Sequence, residues 1–386
     1  MLNADFWEAF AERRPLHCAG IAARLPGEMG LDTLLDAMAR GGELGATTAH
    51  KAGEPYMRDS VFMAYLDQAT LSLAGAERFY RPLLEICDRL GSTSFDYVSA
   101  RLVLEPPGCV GATLGADADL FAIQLRGERR LSIAQPVAGL PVSMPRPKPL
   151  LAAAMQPGDV VFVPAGLECR SSVVAPSFSV QAASKASRPA PEGPGPTVYA
   201  LLSLRTGEQT VEASLGRYLN DLLRQSALAQ ETDGFLRSAI TRRTRAAGCD
   251  EAQLSSAAAE FASKVSAAGL VQHYRERMRR LRAQQTADAT TSAANAPSKP
   301  AGVSSSTVLR VSDGVCAHCT DGSTAAQFKR GTETLNMPIA DSASYLITDL
   351  TDGAPHKVSA LRCADEYEKI CVCQILVFKG CLEIVQ

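Results

Sequence analysis

The 386-residue sequence is short of three things, and each shortage excludes something. Charge imbalance is the first: 39 Lys and Arg against 41 Asp and Glu leave a formal net charge of −2, so no whole-chain field favours a nucleic acid or an anionic membrane. Long apolar runs are the second. No stretch approaches the ~18 residues of a membrane span, and the opening Met1 to Trp7 lacks the basic segment and apolar run of a signal peptide. The expectation is a soluble intracellular protein, cytoplasmic or nuclear, with no membrane partner. Histidine is the third: five occur, at His17, His50, His273, His318 and His356, and none lies between residues 51 and 272. A site in the middle of the chain can take an imidazole only from a distant segment folding over it. Eleven cysteines, an odd number without the density of a small secreted scaffold, are expected as free thiols. The 46% hydrophobic and 21% charged content is that of two or three ordinary domains.

What is present is a run of short strands from Phe95 to Ser184. Phe95 to Leu104 is rich in β-branched, aromatic and aliphatic residues and stops at Pro106-Pro107-Gly108. Ala122 to Arg126 and Arg130 to Ala134 flank Gly127-Glu128 as a hairpin. Pro157-Gly158-Asp159 turns into Val160 to Val163, which ends at Pro164-Ala165-Gly166, and Ser177 to Ala182 alternates with period two. Short strands at this spacing predict a closed barrel or sandwich.

Three motifs in order, Pro106-Pro107-Gly108, then Gln124-Leu125-x-Gly127-Glu128-Arg129-Arg130, then Met155-x-Pro157-Gly158-Asp159-Val160-Val161-Phe162-x-Pro164-x-Gly166, resemble the JmjC cupin domain of the ribosomal oxygenase family. The opening Phe6-Trp7-Glu8-x-Phe10-x-x-Arg13-Arg14-Pro15-Leu16 is similar to that family's start. The resemblance implies an α+β chain: a double-stranded β-helix (cupin/JmjC) barrel with N-terminal helices, a helical dimerisation region and a C-terminal winged-helix-like domain. It also implies Fe(II), held by a His-x-Asp pair after the Pro-Pro-Gly turn and a distal His after the Pro-x-Gly turn, with 2-oxoglutarate as cosubstrate. Two imidazoles and a carboxylate on one face leave positions open for 2-oxoglutarate and O2.

This chain departs from that pattern. Counted forward from Pro106-Pro107-Gly108, the His-x-Asp slots are Gly115, Ala116 and Asp117; counted backward from Gly127 with a one-residue deletion, they are Leu114 and Ala116. The distal slot is Cys169. Asp117 and Cys169, with Asp119 or Glu168 as weaker additions, combine hard carboxylates with one soft thiolate and match no familiar oxygenase geometry. The plainer reading of Cys169 is a small buried hydrophobe. Arg129 stands where the family has a Lys that pairs with the distal carboxylate of 2-oxoglutarate; a guanidinium can make that pair bidentately, and the plain alternative is a solvent-facing hairpin Arg. The expectation is therefore a barrel without iron chemistry and with no resident cofactor, acting as a binding or scaffold module. The alternative is an Fe(II)/2-oxoglutarate protein hydroxylase, of ribosomal-protein or histone type, with altered ligands.

Residues 1–92 read as a helical buttress, with Asp5 capping Phe6 to Glu12, a helix from Asp32 stopped by Gly41-Gly42, and a helix from Ala74 to Leu90 kinked or split at Pro82. His17 and Cys18 lack a third partner for a catalytic pair. The barrel is assigned to 93–185 and a Pro-rich linker to 186–210. Residues 211–285 are predicted helical, with stripes at Leu215, Tyr218, Leu219, Leu222 and Leu223 and at Leu254, Ala258, Phe261, Val265 and Ala268. The resemblance implies a homodimer through this region and a ribosomal or other protein partner. Arg237, Arg242, Arg243 and Arg245, then Arg275, Arg277, Arg279, Arg280 and Arg282, form basic faces, which read as solvated helix surface or as an RNA contact. Residues 286–308 read as a mobile tether and 309–386 as a last domain of helix (Ser342 to Leu350), helix (Ala364 to Lys379), Gly380 and strand (Cys381 to Val385). Six cysteines fall there, and Cys316-Ala317-His318-Cys319 is half of a zinc site or a redox pair if it is not simply two free thiols.

Overall fold

The structure, a computed structural model, describes residues 14–21, 31–51, 54–57, 60–94, 96–107, 109, 113–115, 118–136, 148–173, 196–204, 211–225, 259, 262–263, 265–294, 302–319, 325–339, 343–363 and 365–385. The N-terminal part holds β1 (Leu16–Cys18), α1 (Leu31–Glu43), β2 (Thr47–Lys51), β3 (Glu54–Tyr56), α2 (Val61–Leu66), β4 (Thr70–Ala74) and α3 (Arg81–Ser94). Among the described residues its helices outweigh its strands, and the strands are what the helical reading of this part omits. Thr47–Lys51 and Thr70–Ala74 are short, Thr-bearing segments that pair as strands. The helix predicted from Ala74 is therefore displaced: β4 ends there, a 3-10 turn follows at Ala76–Arg78, and Pro82 lies in the first turn of α3, where a missing N–H costs nothing. Gly41 and Gly42 do not stop α1. A Cβ on Gly41 would lie 2.3 Å from Leu73 Cδ1, so glycine there lets α1 seat on β4. The expected Phe6 to Glu12 helix lies outside the described residues.

Eight strands build the barrel: β5 (Val98–Glu105), β6 (Thr113–Gly115), β7 (Asp119–Arg126), β8 (Arg129–Ala134), β9 (Leu151–Met155), β10 (Val160–Val163), β11 (Glu168–Val173) and β12 (Thr197–Leu204). They divide between an eight-stranded sheet, ordered β1-β10-β7-β12-β5-β4-β2-β3, and a four-stranded sheet, ordered β6-β11-β8-β9. From β5 to β12 the chain passes back and forth between the two sheets. Side chains of successive strand residues point to opposite faces. On β5, β7, β10 and β12, Val103, Leu120, Ala122, Val161, Val163, Tyr199 and Leu201 face the small sheet, where they meet Leu131, Ile133, Met155 and Cys169. Their neighbours Leu102, Leu104, Phe121, Ile123, Phe162, Val198, Ala200 and Leu202 face the helices. Burial on both faces explains the unbroken apolar runs.

β12 overturns the linker assigned to 186–210. The Pro-rich segment does end at Pro196, but the next eight residues form the strand between β5 and β7, with Val198 to Leu202 at most 4% exposed. The alternating segment Ser177 to Ala182 lies outside the described residues.

After the barrel come α4 (Val211–Gln225) and α5 (Ala267–Ala294). The second helix crosses the boundary expected at 285 and runs into the predicted tether. Alanine favours helix there, and the hydroxyls of Thr286, Thr290 and Thr291 donate to carbonyls one turn back, at 2.9–3.1 Å. Gln285 anchors α5 to the barrel, its Nε2 donating to Glu77 Oε1 and to the Val98 carbonyl, both at 2.9 Å. Of the second apolar stripe, Leu254, Ala258 and Phe261 lie outside the described residues.

The C-terminal module comprises β13 (Val308–Val311), β14 (Val315–His318), β15 (Ala325–Arg330), β16 (Glu333–Pro338), α6 (Ser344–Leu350), β17 (His356–Lys357), α7 (Glu366–Phe378) and β18 (Leu382–Val385). The two helices, the Gly380 turn and the last strand lie as predicted to within a few residues; the sheets β17-β13-β18 and β14-β15-β16 were not foreseen. α7 is β-rich in composition yet helical, capped by Asp365, which accepts the Tyr367 N–H at 2.8 Å. The same carboxylate accepts the Tyr65 hydroxyl of α2 at 2.7 Å, and Arg126 at the end of β7 lies over the Tyr367 ring. The module is thus packed against the N-terminal part. Among the described residues the architecture is mixed, with seven helices and antiparallel sheets, and no helix is long and apolar enough to cross a membrane.

Candidate functional site

Gly127, with φ of 69°, turns the chain from β7 into β8, so that Arg129, Leu131 and Ile133 share the inward face. Arg129 is consequently fully buried, against the solvent-facing alternative. Its Cζ lies 3.5 Å from the centroid of the Tyr199 ring, so the guanidinium rests on the aromatic face. Tyr199 is held in turn: its hydroxyl donates to Glu105 Oε1 at 2.9 Å. Gln124, on the facing strand, braces the hairpin by donating through Nε2 to the carbonyls of Arg126 and Gly127, at 2.7 and 3.0 Å.

The polar atoms left over are the informative ones. Arg129 Nε, Nη1 and Nη2, Gln124 Oε1 and Ser171 Oγ are buried without a hydrogen-bond partner among the described residues. Gln124, Arg129 and Ser171 all stand at inward-facing positions of β7, β8 and β11. Burial lowers the Arg129 pKa, and the Tyr199 oxygen and Glu105 counter it by attraction. Tyr199 stays a phenol, its pKa pushed well up by burial and by Glu105. A carboxylate presented in the guanidinium plane would satisfy two of the three nitrogens at once. The residues present fit that group.

They do not fit iron. Leu114 is the register partner of Cys169, and Gly115 that of Glu168. Gly115 has no side chain to offer, and Asp117 lies outside the described residues. Cys169 faces inward and is fully buried, its thiol pushed up to about 11 by burial against the pull of Arg129. Glu168, its neighbour, points to the other face of the sheet and is bound by Arg170 Nε at 2.7 Å, so the two cannot share an ion. Asp119 sits on the outward parity of β7, and its Oδ1 accepts the Ala165 N–H at 2.9 Å; burial raises its pKa against that bond.

All five histidines are engaged or exposed elsewhere. His17, on the edge strand β1, meets Asp159 Oδ2 at 3.2 Å; His50 meets Thr48 Oγ1, His273 meets Asp221, His356 meets Asp352, and His318 is exposed on β14. Among the described residues no three of His, Cys, Asp and Glu converge as a metal site. A buried thiol without imidazole is a poor Fe(II) donor set. In the C-terminal module Cys316 is exposed and Cys319 half-buried, whereas burial pushes Cys363 and Cys373 up to about 12.

Tyr199 and Glu105 were missed by sequence reasoning. Tyr199 was hidden in the supposed linker, although Thr197 to Leu204 is itself a strong strand signal once Pro196 is passed.

No protein-family model matches the chain, and no curated protein is significantly similar to it in sequence. Over part of its length its structure is similar to the DMSP lyase DddQ of Ruegeria pomeroyi, at 19% identity over 30% of this chain and 42% of that one, with a TM-score of 0.19. Along its whole length the chain is similar in structure to YcfD, a ribosomal oxygenase of Escherichia coli, at 12% identity over 100% of this chain and 99% of that one, with TM-scores of 0.46 for the X-ray structure and 0.42 for the complex with cobalt and 2-oxoglutarate.

Proposed function

We propose that the barrel is a cupin-type double-stranded β-helix that has kept a carboxylate site and lost iron chemistry, and that the protein acts as a binding or scaffold module. The observation that carries this reading is Arg129: fully buried, laid on Tyr199, its three nitrogens without a hydrogen-bond partner among the described residues. The ligand is a small carboxylate or dicarboxylate of the 2-oxoglutarate and succinate type. With no metal to chelate its other end, affinity is weak, on the order of 1 mM. The chain's own contribution is binding and orientation. Tyr199 fixes the plane of the guanidinium, Glu105 fixes Tyr199, and the apolar walls from Val103, Leu131, Met155 and Leu201 exclude water.

Around this barrel, residues 211–285 serve as a homodimer contact and the C-terminal module, winged-helix-like in its closing helix, helix and strand, as the surface offered to a ribosomal or other protein. The exposed Val211, Leu215 and Val271 on α4 and α5 support the first of these.

Two measurements test the reading. Protein supplied with Fe(II) and 2-oxoglutarate is expected to retain no stoichiometric iron and to release no succinate; about one iron per chain with uncoupled decarboxylation overturns it. Titration calorimetry with 2-oxoglutarate is expected to give heat with the wild type and none with Arg129→Ala, and equal heats remove the carboxylate site.

A further inference from the structure

Gln124 is fully buried, and its register partner on β12 is Tyr199, the residue whose ring carries the Arg129 guanidinium. Amide and guanidinium therefore share one end of the barrel interior, beside the Gly127 turn. Ser171 stands on the facing wall: it pairs with Leu131, two residues from Arg129 on the same side of β8. Chemistry fixes which way the Gln124 amide lies. Its NH2 meets the carbonyls of Arg126 and Gly127, and turning the amide over would set its oxygen against both of them. Oε1 therefore points away from the turn, where it is buried and, among the described residues, accepts from no donor. The residue cannot swing to find one, because its own N–H donates to the Asp159 carbonyl and its carbonyl accepts the Gly158 N–H, both at 2.9 Å.

A carboxylate seated on Arg129 leaves this oxygen unmet, since carboxylate oxygens only accept. What completes the site is a donor carried by the same ligand. We propose that the ligand of the Arg129 site is a hydroxy acid, its carboxylate paired with Arg129 and its hydroxyl donating to Gln124 Oε1. This assignment rests on the carboxylate reading of Arg129 and adds to it a residue that sets specificity. A 2-oxo acid presents only lone pairs to Oε1, and an unsubstituted acid presents only C–H; both leave the buried acceptor without its bond. An ammonium could also donate, but it would have to exchange its hydration for one neutral amide oxygen in an interior that already holds a guanidinium, whereas a hydroxyl gives up far less. Ser171 Oγ, able to donate or accept, suits either the ligand hydroxyl or the second carboxylate oxygen.

The test is titration calorimetry of the full chain with succinate, methylsuccinate, malate and aspartate, using both enantiomers of each chiral acid. Malate and methylsuccinate are close in size and differ in the donor. One enantiomer of malate is expected to bind about tenfold tighter than succinate or methylsuccinate, the worth of one buried hydrogen bond, and Arg129→Ala to lose all four acids. Gln124→Met keeps the length of the side chain without the acceptor, and should bring malate and methylsuccinate to within about twofold of each other. If that variant fails to fold for want of its bonds to Arg126 and Gly127, the ligand series on the wild type decides alone. Malate no tighter than methylsuccinate, on a wild type that binds succinate through Arg129, overturns the hydroxyl assignment and leaves the carboxylate site standing. Aspartate as tight as malate overturns it too, in favour of an ammonium. No heat from any of the four removes the carboxylate site and the hydroxyl assignment with it.

Discussion

Replacing Arg129 with methionine should make the ligand-free protein more stable and abolish its response to carboxylates. Among the described residues the three guanidinium nitrogens have no hydrogen-bond partner, and the side chain is buried from water. Each buried unsatisfied donor costs about 1–3 kcal/mol, so the group carries a penalty of at least about 3 kcal/mol. The contact with the Tyr199 ring and the attraction of Glu105 together offset about 2 kcal/mol of it. Methionine fills much of the same length, has no donor to satisfy and adapts its shape to irregular space. The balance favours Arg129→Met by about 1 kcal/mol or more, which corresponds to about 2–4 °C in Tm for a domain of this kind. In the wild type, 2-oxoglutarate at about twentyfold over its Kd adds about 1.8 kcal/mol, a rise of about 4–7 °C. Thermal unfolding monitored by fluorescence, with and without 2-oxoglutarate, reads both effects in one series. A variant that melts lower than the wild type without ligand, or that still gains stability from 2-oxoglutarate, refutes the reasoning: the first means that the guanidinium is satisfied by the fold, the second that the carboxylate binds elsewhere.

Other substitutions probe the frame around the site. Asp365→Ala removes both the cap of α7 and the acceptor of the Tyr65 hydroxyl, and should cost about 2–4 kcal/mol in urea denaturation. Asp159 works in the opposite direction to a strained acid: despite burial, the N–H groups of Gln156 and Gly20 and the His17 ring hold its carboxyl below the usual range. Its contribution is therefore complete above the unfolded carboxylate value and is lost as pH falls through the lower folded value. Between about pH 5 and pH 3 the wild type should lose stability that Asp159→Asn has already lost, so the two melting curves converge in acid. Leu215→Glu/Val271→Glu should shift the full chain from dimer to monomer in light scattering while leaving its far-UV circular dichroism unchanged, since both side chains are exposed; a dimer that persists places the contact elsewhere.

Strand periodicity made much of the barrel legible, because the turns at Gly127, Gly158 and Gly166 punctuate short apolar segments. What periodicity cannot show is which segments become neighbours. β12 follows a proline-rich stretch and was absorbed into it, yet tertiary pairing places it in the middle of the large sheet. α5 outran its predicted end because Ala and Thr composition resembles a linker when its anchoring through Gln285 is unseen. The fate of Arg129 was open in the sequence, since a hairpin arginine faces in or out according to one residue of register. The absence of histidine from the central segment, by contrast, was a property of the sequence that no folding could alter.

The position of β12 also bears on how the chain reaches this state. As residues emerge from the ribosome, β5 and β7 are complete by Arg126, but the strand that joins them arrives only at Thr197–Leu204. Until then two sheet edges lie open with their backbone groups unpaired, the arrangement most prone to wrong pairing with another chain. Tyr65 waits longer still, because its partner Asp365 is 300 residues away. Contacts of such separation slow folding, so the edges of β5 and β7 stay open until residue 204 has joined the chain.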